Sequence, residues 1–224
     1  MRAYLSQNAD KRIIDALRQE GFEIRLLAPF SALSEPVSTH ADMLLFSVGD
    51  TIFKHKDYEV TSIESAIGID EPIGANYPSD VPLNIALVGK NALCNTKHAS
   101  KTALRYLEEN GYTIHHVTQG YAHCSTCIVS ENAIITADRS IASAAEKAGI
   151  DVLRITEGNI SLPPYSYGFI GGASGVTNGA VYFCGSLKHH PDGESIRSFC
   201  ENHERRVVEL VDAPLFDVGG ILFK

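Results

Sequence analysis

The sequence predicts an α/β fold built from about five copies of one strand–turn–strand–helix–strand unit. Three observations support it. Helix-forming segments lead through a short turn into a β-prone run, pairs of short apolar runs come before these helices, and successive units begin roughly 40 residues apart. The apolar runs at both termini favour closure into a ring, because an open solenoid needs polar capping repeats at its ends.

Four segments have apolar residues at helical spacing and are each followed by a β-prone run. Gly21, Gly111 and Gly149 come directly or almost directly after the first three, where a glycine is suited to the left-handed conformation that ends a helix. The predicted helices are Asp10–Glu20, Ser100–Asn110, Arg139–Lys147 and Gly193–Asn202.

Short apolar runs on either side of turn-forming residues predict one β-hairpin in each unit. The predicted pairs are Met43–Phe46 with Thr51–Phe53, Ile85–Val88 with Ala92–Leu93, Cys127–Val129 with Ala133–Thr136, and Phe169–Ile170 with Ala180–Phe183. The two ends of the chain, Ala3–Leu5 and Gly219–Phe223, are expected to pair and complete the fifth unit.

The stretch from Lys56 to Asp80 is the least regular part of the pattern. Its helical periodicity is weak and Pro72 and Pro78 interrupt it, so we expect an irregular second unit there. No Gly/Ser/Pro-rich linker divides the chain, and residues 1–224 are expected to form one domain.

Composition favours a cytoplasmic protein that acts on a small molecule. The formal net charge is −8 and no basic cluster is present, which disfavours nucleic acid and anionic membranes and leaves cationic or neutral small ligands. The N-terminal segment lacks the apolar core of a signal peptide, and no run is long enough to span a bilayer. The five cysteines are expected to be reduced thiols, and the sequence gives no reason to expect a cofactor.

Four motifs carry a resemblance to a known superfamily: His40–Phe46, Gln119–Thr136, Tyr167–Gly175 and Asp217–Phe223. With the five-unit layout, they resemble the pentein superfamily of guanidino-group-modifying enzymes, which includes arginine deiminases, dimethylarginine hydrolases and amidinotransferases. Within it the chain is most similar to a compact, uncharacterised bacterial family. The resemblance covers nearly the whole chain and implies an α/β propeller of five ββαβ units in a pseudo-fivefold ring.

The resemblance also implies a central channel lined by the residues that begin each unit's first strand. A polar residue or glycine opens each apolar strand, which suggests a polar pore, although strand entries are also polar simply because they are loops. The aligned positions are Asp42, Asn84, Ser125 with Thr126, Gly168 and Asp217.

Catalytic penteins use a cysteine nucleophile, a histidine acid/base and carboxylates that hold a guanidinium. Their cysteine lies just before the last strand, where this chain has Asp217, and no cysteine follows Cys200. A displaced site is therefore expected, with Cys124 as nucleophile and His40 with Asp42, in an H-x-D arrangement, as its partners. The alternative is that Cys124 is a small, half-buried residue and His40 a hydrogen-bonded loop histidine.

Further residues are expected to contact the substrate. A planar guanidinium matches a carboxylate in a two-point hydrogen bond, which makes Asp42 and Asp217 the expected anchors. The tyrosine pair Tyr165 and Tyr167 is expected to line the pore mouth, and the glycine-rich turn is expected to supply positive φ angles and close backbone approach. The predicted substrate-binding residues are Asp217, Asn84, Ser125, Tyr167, Gly171 and Gly172.

The Cys124–Cys127 pair has two other interpretations. A redox C-x-x-C motif opens a helix, whereas this one precedes a strand, and a zinc site needs four ligands where His123 and the two cysteines supply three. Cys127 is expected to point into the core beside Val129.

The leading hypothesis is therefore an amidino-group hydrolase acting on a guanidino or related compound. The rival is a non-catalytic pentein-fold binding protein, either ligand-binding or similar to a ribosome anti-association factor. The feature that separates them is whether Cys124 and His40 lie together and face the channel.

Overall fold

The computed structural model of the chain describes residues 1–59, 63 and 65–224. Fifteen strands are present among them. They are β1 Arg2–Ser6, β2 Glu23–Leu27, β3 Leu45–Val48, β4 Thr51–His55, β5 Ile67–Ile69, β6 Ala86–Val88, β7 Asn91–Cys94, β8 Thr113–His116, β9 Thr126–Ser130, β10 Ala133–Thr136, β11 Asp151–Arg154, β12 Ser174–Val176, β13 Ala180–Phe183, β14 Arg206–Glu209 and β15 Leu222–Phe223.

The strands form five three-stranded sheets with one shared topology. In every sheet the middle strand pairs antiparallel with an inner strand and parallel with an outer strand. We number the units I (β15-β1-β2), II (β3-β4-β5), III (β6-β7-β8), IV (β9-β10-β11) and V (β12-β13-β14). The last strand of the chain pairs with the first, as the sequence predicts, and this pairing joins the two termini in unit I.

Helices connect the middle and outer strands of four units, because a parallel pair needs a long crossover. They are α1 Lys11–Gln19, α3 Lys101–Glu109, α4 Arg139–Lys147 and α5 Gly193–Asn202, while α2 Ala41–Leu44 is a single turn before β3 and Glu35–Val37 and Leu187–His189 are 3₁₀ turns. All four helices predicted from periodicity are confirmed to within one residue.

Local signals fix the ends of these helices. The side chains of Asp10, Ser100 and Asp138 accept hydrogen bonds from backbone N–H groups in the first turns of α1, α3 and α4. Gly21 and Gly111 follow the ends of α1 and α3 with φ of +88° and +75°, the left-handed geometry in which glycine is unstrained.

Three predicted inner strands begin too early, including the last, which begins at Leu222 and not at Gly219. Met43 and Leu44 belong to the one-turn helix α2, and β3 begins at Leu45. Phe169 and Ile170 precede the inner strand of unit V, which is Ser174–Val176 and pairs with β13. In units II and V the backbone before the strand bonds to another unit, Asp42 N–H to Gly219 O and Gly172 N–H to Cys124 O, which local β propensity does not report.

Unit II is irregular, as the sequence predicts. Between β4 and β5 no helix occurs among the described residues, and part of the weakly periodic stretch, residues 60–62 and 64, lies outside them. The strand β5 nevertheless pairs parallel to β4 through Phe53 and Ile67, so the unit keeps the shared topology.

The buried core lies at the junctions between neighbouring units. Five apolar clusters can each be identified by one residue pair that joins two units: Tyr4 and Ile52 for I–II, Phe53 and Leu107 for II–III, Val88 and Ile134 for III–IV, Val129 and Phe183 for IV–V, and Leu17 and Tyr182 for V–I. Five successive junctions close the ring, because every unit shares a buried cluster with the unit on each side. No helix in the described part of the chain is long and apolar enough to cross a membrane.

Candidate functional site

The segments that lead into the inner strands meet near the ring axis. Asp42 lies just before β3, Asn84 before β6, Cys124 before β9 and Asp217 shortly before β15. All four are buried, with 1–5% of their surface exposed. Asn84 contacts both Cys124 and the Asp42 backbone, and Asp42 donates its backbone N–H to Gly219, two residues after Asp217.

A cavity of about 270 Å³ brings the predicted nucleophile and the predicted acid/base together. Cys124 of unit IV, His40 at the entrance of unit II and Asp217 at the entrance of unit I line the same space. The wall is largely aromatic and is formed by Tyr121, Tyr165, Tyr167 and Phe169. Tyr121 and Phe169 are stacked, with ring centroids 6.0 Å apart and planes at 27°.

Asn84 holds the Cys124 segment through its whole amide group. Its Oδ1 accepts the backbone N–H groups of His123 at 2.7 Å and Cys124 at 3.2 Å, and its Nδ2 donates to Cys124 Sγ at 2.9 Å. Burial, followed by the charges of Asp42 and Asp217, holds the pKa of the Cys124 thiol well above its ordinary value. The free protein therefore carries Cys124 as a neutral thiol.

Asp217 is fixed by two backbone donors. Its Oδ2 accepts the N–H of Phe169 and its Oδ1 the N–H of Gly219, both at 2.9 Å. Gly172 lies directly against the carboxylate, since a Cβ there would be 2.1 Å from Asp217 Oδ1. Burial raises the pKa of Asp217 to about 6, so the group remains largely ionised at neutral pH.

His40 is a buried neutral imidazole. It occupies the N-cap position of α2, and its Nδ1 lies 3.8 Å from Asp217 Oδ1. Burial lowers the pKa of His40 to about 4. Gly219, at φ +79°, allows the chain to pass over this ring, because a Cβ there would lie 2.2 Å from His40 Cβ.

Asp42 lines a different cavity from Cys124. This second space, of about 200 Å³, is bounded mainly by the five inner strands and also by Gly171 and His123. Burial, and then the charge of Asp217, raise the pKa of Asp42 to about 8, and neither of its side-chain oxygens has a hydrogen-bond partner among the described residues. Asp42 is thus a protonated carboxyl next to the thiol at neutral pH.

Not all predicted substrate-binding residues lie around Cys124. Tyr167 lines the Cys124 cavity and donates its O–H to Glu157. Ser125 lines a separate space of about 40 Å³, and Gly171 lines the cavity of Asp42. Asn84 and Gly172 act on the site indirectly, through the thiol and through Asp217 respectively.

One of the two predictions for the glycine-rich turn, residues 171–179, is confirmed. Gly171 and Gly175 approach other backbone segments closely, since a Cβ would lie 2.2 Å from His123 O and 2.6 Å from Ile221 O respectively. Positive φ is absent from Gly171, Gly172, Gly175 and Gly179, so that part of the prediction is wrong. These glycines provide room for close packing at the axis.

Cys127 packs in the core with Val129, as predicted. Cys124 and Cys127 are both free thiols; Cys124 lies just before the strand β9 and Cys127 lies within it. Among residues 1–59, 63 and 65–224, no cluster of three or more His, Cys, Asp or Glu side chains is arranged to hold a metal ion.

Sequence reasoning missed several residues of the Cys124 cavity, among them the hydrogen-bonded pair Tyr121 and Asp80. Tyr121 donates its O–H to Asp80 Oδ2 at 2.7 Å, and both residues line the space. The signal was their position, because Asp80 lies in the loop that enters unit III and Tyr121 in the loop that enters unit IV. Loops that enter successive inner strands of a ring share one end of the axis.

The chain was compared with family models, with curated proteins and with solved structures. Residues 4–222 match the family described as "Family of unknown function (DUF6873)". The search of curated proteins finds no match.

Several solved structures are similar in fold at low sequence identity. A cysteine-to-serine variant of DDAH from Pseudomonas aeruginosa, complexed with citrulline, matches with a TM-score of 0.57 and 12% identity over 94% of this chain and 91% of that one. The agmatine deiminase of C. jejuni matches with 0.54 and 12% over 92% and 86%. An amidinotransferase of the saxitoxin pathway from Microseira wollei matches with 0.53 and 12% over 92% and 77%. These likenesses establish the pentein fold.

Proposed function

We propose that this chain, which belongs to the family of unknown function DUF6873 and has the pentein fold, is an amidino-group hydrolase. Its substrate would be a guanidino or related cation bound in the Cys124 cavity. Cys124 is the nucleophile, His40 the acid/base and Asp217 the anchor for the cation. Asn84 positions the thiol, and Asp42, once it ionises above about pH 8, is a neighbouring charge that opposes the thiolate.

One observation carries the proposal: a thiol, an imidazole and a carboxylate from three different units line one cavity. A guanidinium is planar and cationic, and it pairs with a carboxylate through two parallel hydrogen bonds. Asp217 is suited to this because its two backbone donors fix the carboxylate plane before any ligand arrives. Solved structures of similar fold include an agmatine deiminase, an amidinotransferase and DDAH, which supports the same chemical class.

The resting thiol is activated by its own substrate in this proposal. Burial and two neighbouring carboxyl groups disfavour the thiolate in the free protein. A bound cation adds a positive charge next to the same sulfur, and an opposite charge within about 4–6 Å favours the ionised form. The pKa of Cys124 is therefore expected to fall when a guanidinium occupies the cavity.

The reaction then proceeds in two balanced steps. Cys124 Sγ bonds to the amidino carbon as its proton passes to His40, and the bond from that carbon to the departing amine breaks as His40 gives the proton to the amine. Water next adds to the same carbon and gives a proton to His40, the carbon–sulfur bond breaks, and the sulfur recovers its proton. The products are an amine and a urea-type compound.

The raised thiol pKa also favours a second candidate, a binding protein with this fold. A buried, protonated cysteine is unreactive until something lowers its pKa. If a cation binds beside Asp217 without lowering the Cys124 pKa, the same cavity holds the ligand and performs no chemistry.

The test is to incubate the protein with a panel of guanidino compounds and measure ureido product and heat of binding. Wild type is compared with Cys124→Ala and with Cys127→Ala, a matched change three residues along the chain whose side chain packs in the core. We expect Cys124→Ala to lose turnover by about a thousandfold or more while it keeps binding, and Cys127→Ala to keep turnover.

The outcomes separate the two candidates. Binding by wild type without product would favour the binding protein. No binding by any guanidino compound, or equal turnover by wild type and Cys124→Ala, would contradict the proposed enzyme.

A further inference from the structure

We propose that the Cys124 cavity selects guanidino compounds that carry a second cationic group, an ammonium held by Asp80, and that lack a carboxylate. The inference rests on the proposed function, because it assumes that the guanidinium lies at Asp217. It adds a second subsite, formed by Asp80 and the aromatic wall, and with it a substrate class.

The charges around the cavity are of one sign. The carboxylates Asp80 and Asp217 line it directly. None of the described residues that line it is a lysine or an arginine, and its histidine, His40, is buried and neutral. A site of this kind concentrates cations and repels anions.

Asp80 has an acceptor that the protein does not use. Its side chain is 4% exposed, Oδ2 accepts the Tyr121 O–H at 2.7 Å, and Oδ1 is buried without a hydrogen-bond partner among the described residues. A buried carboxylate with an unpaired oxygen is costly, and because Asp80 lines the cavity, a ligand ammonium there offers the charge and a donor for this carboxylate.

The aromatic wall supplies a second attraction for the same group. Tyr121 is stacked on Phe169, and the Tyr167 ring meets Phe169 edge-on at 6.2 Å and 88°. Ring faces attract alkylammonium groups through their quadrupole. Phe169 also donates its backbone N–H to Asp217, so the wall runs from the guanidinium anchor to Asp80.

The same lining argues against an amino acid as substrate. Proteins that bind an α-carboxylate place an arginine, a lysine or a set of backbone donors against it. In this cavity, a carboxylate on the ligand's alkyl chain between its two cationic groups would instead meet Asp80, Asp217 and ring faces. A guanidinoalkylamine fits this charge pattern, whereas a guanidino amino acid carries one charge that the lining opposes.

The experiment measures dissociation constants by calorimetry for three ligands that differ by one group. They are butylguanidine, 4-guanidinobutylamine with its shorter and longer homologues, and L-arginine, which adds a carboxylate. We expect the best guanidinoalkylamine to bind about tenfold more tightly than butylguanidine, and L-arginine to bind more weakly than that amine. Equal affinity of wild type for butylguanidine and every amine would overturn the proposal while leaving the proposed hydrolase intact.

Two variants separate a binding role of Asp80 from a structural one. Asp80→Asn keeps an acceptor for Tyr121 and removes the charge, so we expect it to abolish the preference for the amine and leave butylguanidine affinity within about twofold. Tyr121→Phe removes the O–H and keeps the charge, so the preference should persist. Equal weakening of both ligands by Asp80→Asn would overturn the proposal. Failure of every guanidine to bind wild type would contradict the proposed function, and this inference with it.

Discussion

Two cavities of similar volume lie on the ring axis, about 270 Å³ around Cys124 and about 200 Å³ around Asp42, and their linings differ in kind. Loops supply most of the first, which contains a thiol, an imidazole, two carboxylates and four aromatic rings. The inner strands β3, β6, β9, β12 and β15 supply most of the second, largely as aliphatic side chains and glycines.

The difference shows where this fold leaves room for chemistry. A residue in an inner strand must satisfy the sheet and alternate between two faces, which limits its choice. A residue in an entrance loop is positioned by the sheets but does not pair within one, so its side chain is free to be polar or aromatic. The comparison therefore predicts that substitutions in the first cavity change binding and turnover, whereas those in the inner strands that line the second change little besides stability.

The largest effect is expected where the glycine-rich turn meets the anchor. A Cβ at Gly172 would lie 2.1 Å from Asp217 Oδ1 and 2.4 Å from its Cγ, so Gly172→Ala must displace the carboxylate from the N–H groups of Phe169 and Gly219. We expect a loss of about 1–3 kcal/mol in unfolding free energy and loss of turnover. Denaturant unfolding and the ureido assay measure the two effects.

Gly179 provides the matched control in the same turn. A Cβ there meets nothing within 4 Å, so Gly179→Ala should stay within about 0.5 kcal/mol of wild type and keep its turnover. If Gly172→Ala kept full turnover, the carboxylate position would not matter and Asp217 would lose its place as anchor.

The second effect concerns the resting thiol. We expect iodoacetamide to label Cys124 with an apparent pKa above that of an ordinary cysteine, because burial and the charges of Asp42 and Asp217 oppose the thiolate. The pKa should fall when a guanidinium ligand is added, and also in Asp42→Asn, which removes one of those charges. Peptide mapping against pH measures all three.

Labelling of Cys124 that rises below the ordinary cysteine pKa in the free protein would show that the thiol is active before any substrate binds. It would refute activation by the substrate and leave the nucleophile itself in place. Labelling unchanged by any ligand would favour the binding protein.

The sequence predicts the parts of this molecule that depend on local signals. Helices α1, α3, α4 and α5 follow from apolar spacing, and Gly21, Gly111 and Gly149 mark the ends of the first three. The repeated order of these elements is sufficient to predict the five-unit ring and the pairing of the chain ends. Each of these signals lies within a few residues of the element it specifies.

Contacts across the axis account for what the sequence does not predict. Asp42 lies in a helical turn because its N–H bonds to Gly219 O, and β12 begins late because Gly172 donates to Cys124 O. The hydrogen bond from Tyr121 to Asp80 joins loops of two units, and no sequence motif indicates it. The catalytic roles of Cys124, His40 and Asp42 stay predictions, because geometry places side chains and does not test chemistry.

Asp42 lies at the border between the two cavities, and it should affect stability as well as the pKa of the thiol. Its pKa is raised to about 8 by burial and by Asp217, whereas in the unfolded chain it is close to 3.8. The unfolded state therefore loses this proton first, and the stability present below about pH 4 declines as the pH rises through about 8.

Asp42→Asn removes that titration. The gain in melting temperature over wild type should be small at pH 4, grow as the pH rises, and reach several degrees at pH 8. His40 has the opposite effect, because its lowered pKa costs stability as the pH falls from 6.5 to about 4. Both proteins contain His40, so the difference between their melting temperatures reduces this contribution. A difference in melting temperature that is the same at pH 4 and pH 8 would mean that Asp42 is ionised in the folded state.

The smallest effect tests the second cavity directly. Ser47 lies in β3 and lines the Asp42 cavity, while Ser166 lines the Cys124 cavity from a loop, so the same serine-to-valine change can be made in both. Valine suits a strand, and Ser47→Val should leave kcat/KM within about twofold and the melting temperature nearly unchanged. Ser166→Val should raise KM several-fold, because it alters the wall that the ligand contacts. If Ser47→Val lowered turnover as much as Ser166→Val, the inner-strand cavity would take part in the reaction, and the division between a scaffold side and a chemical side of the ring would be wrong.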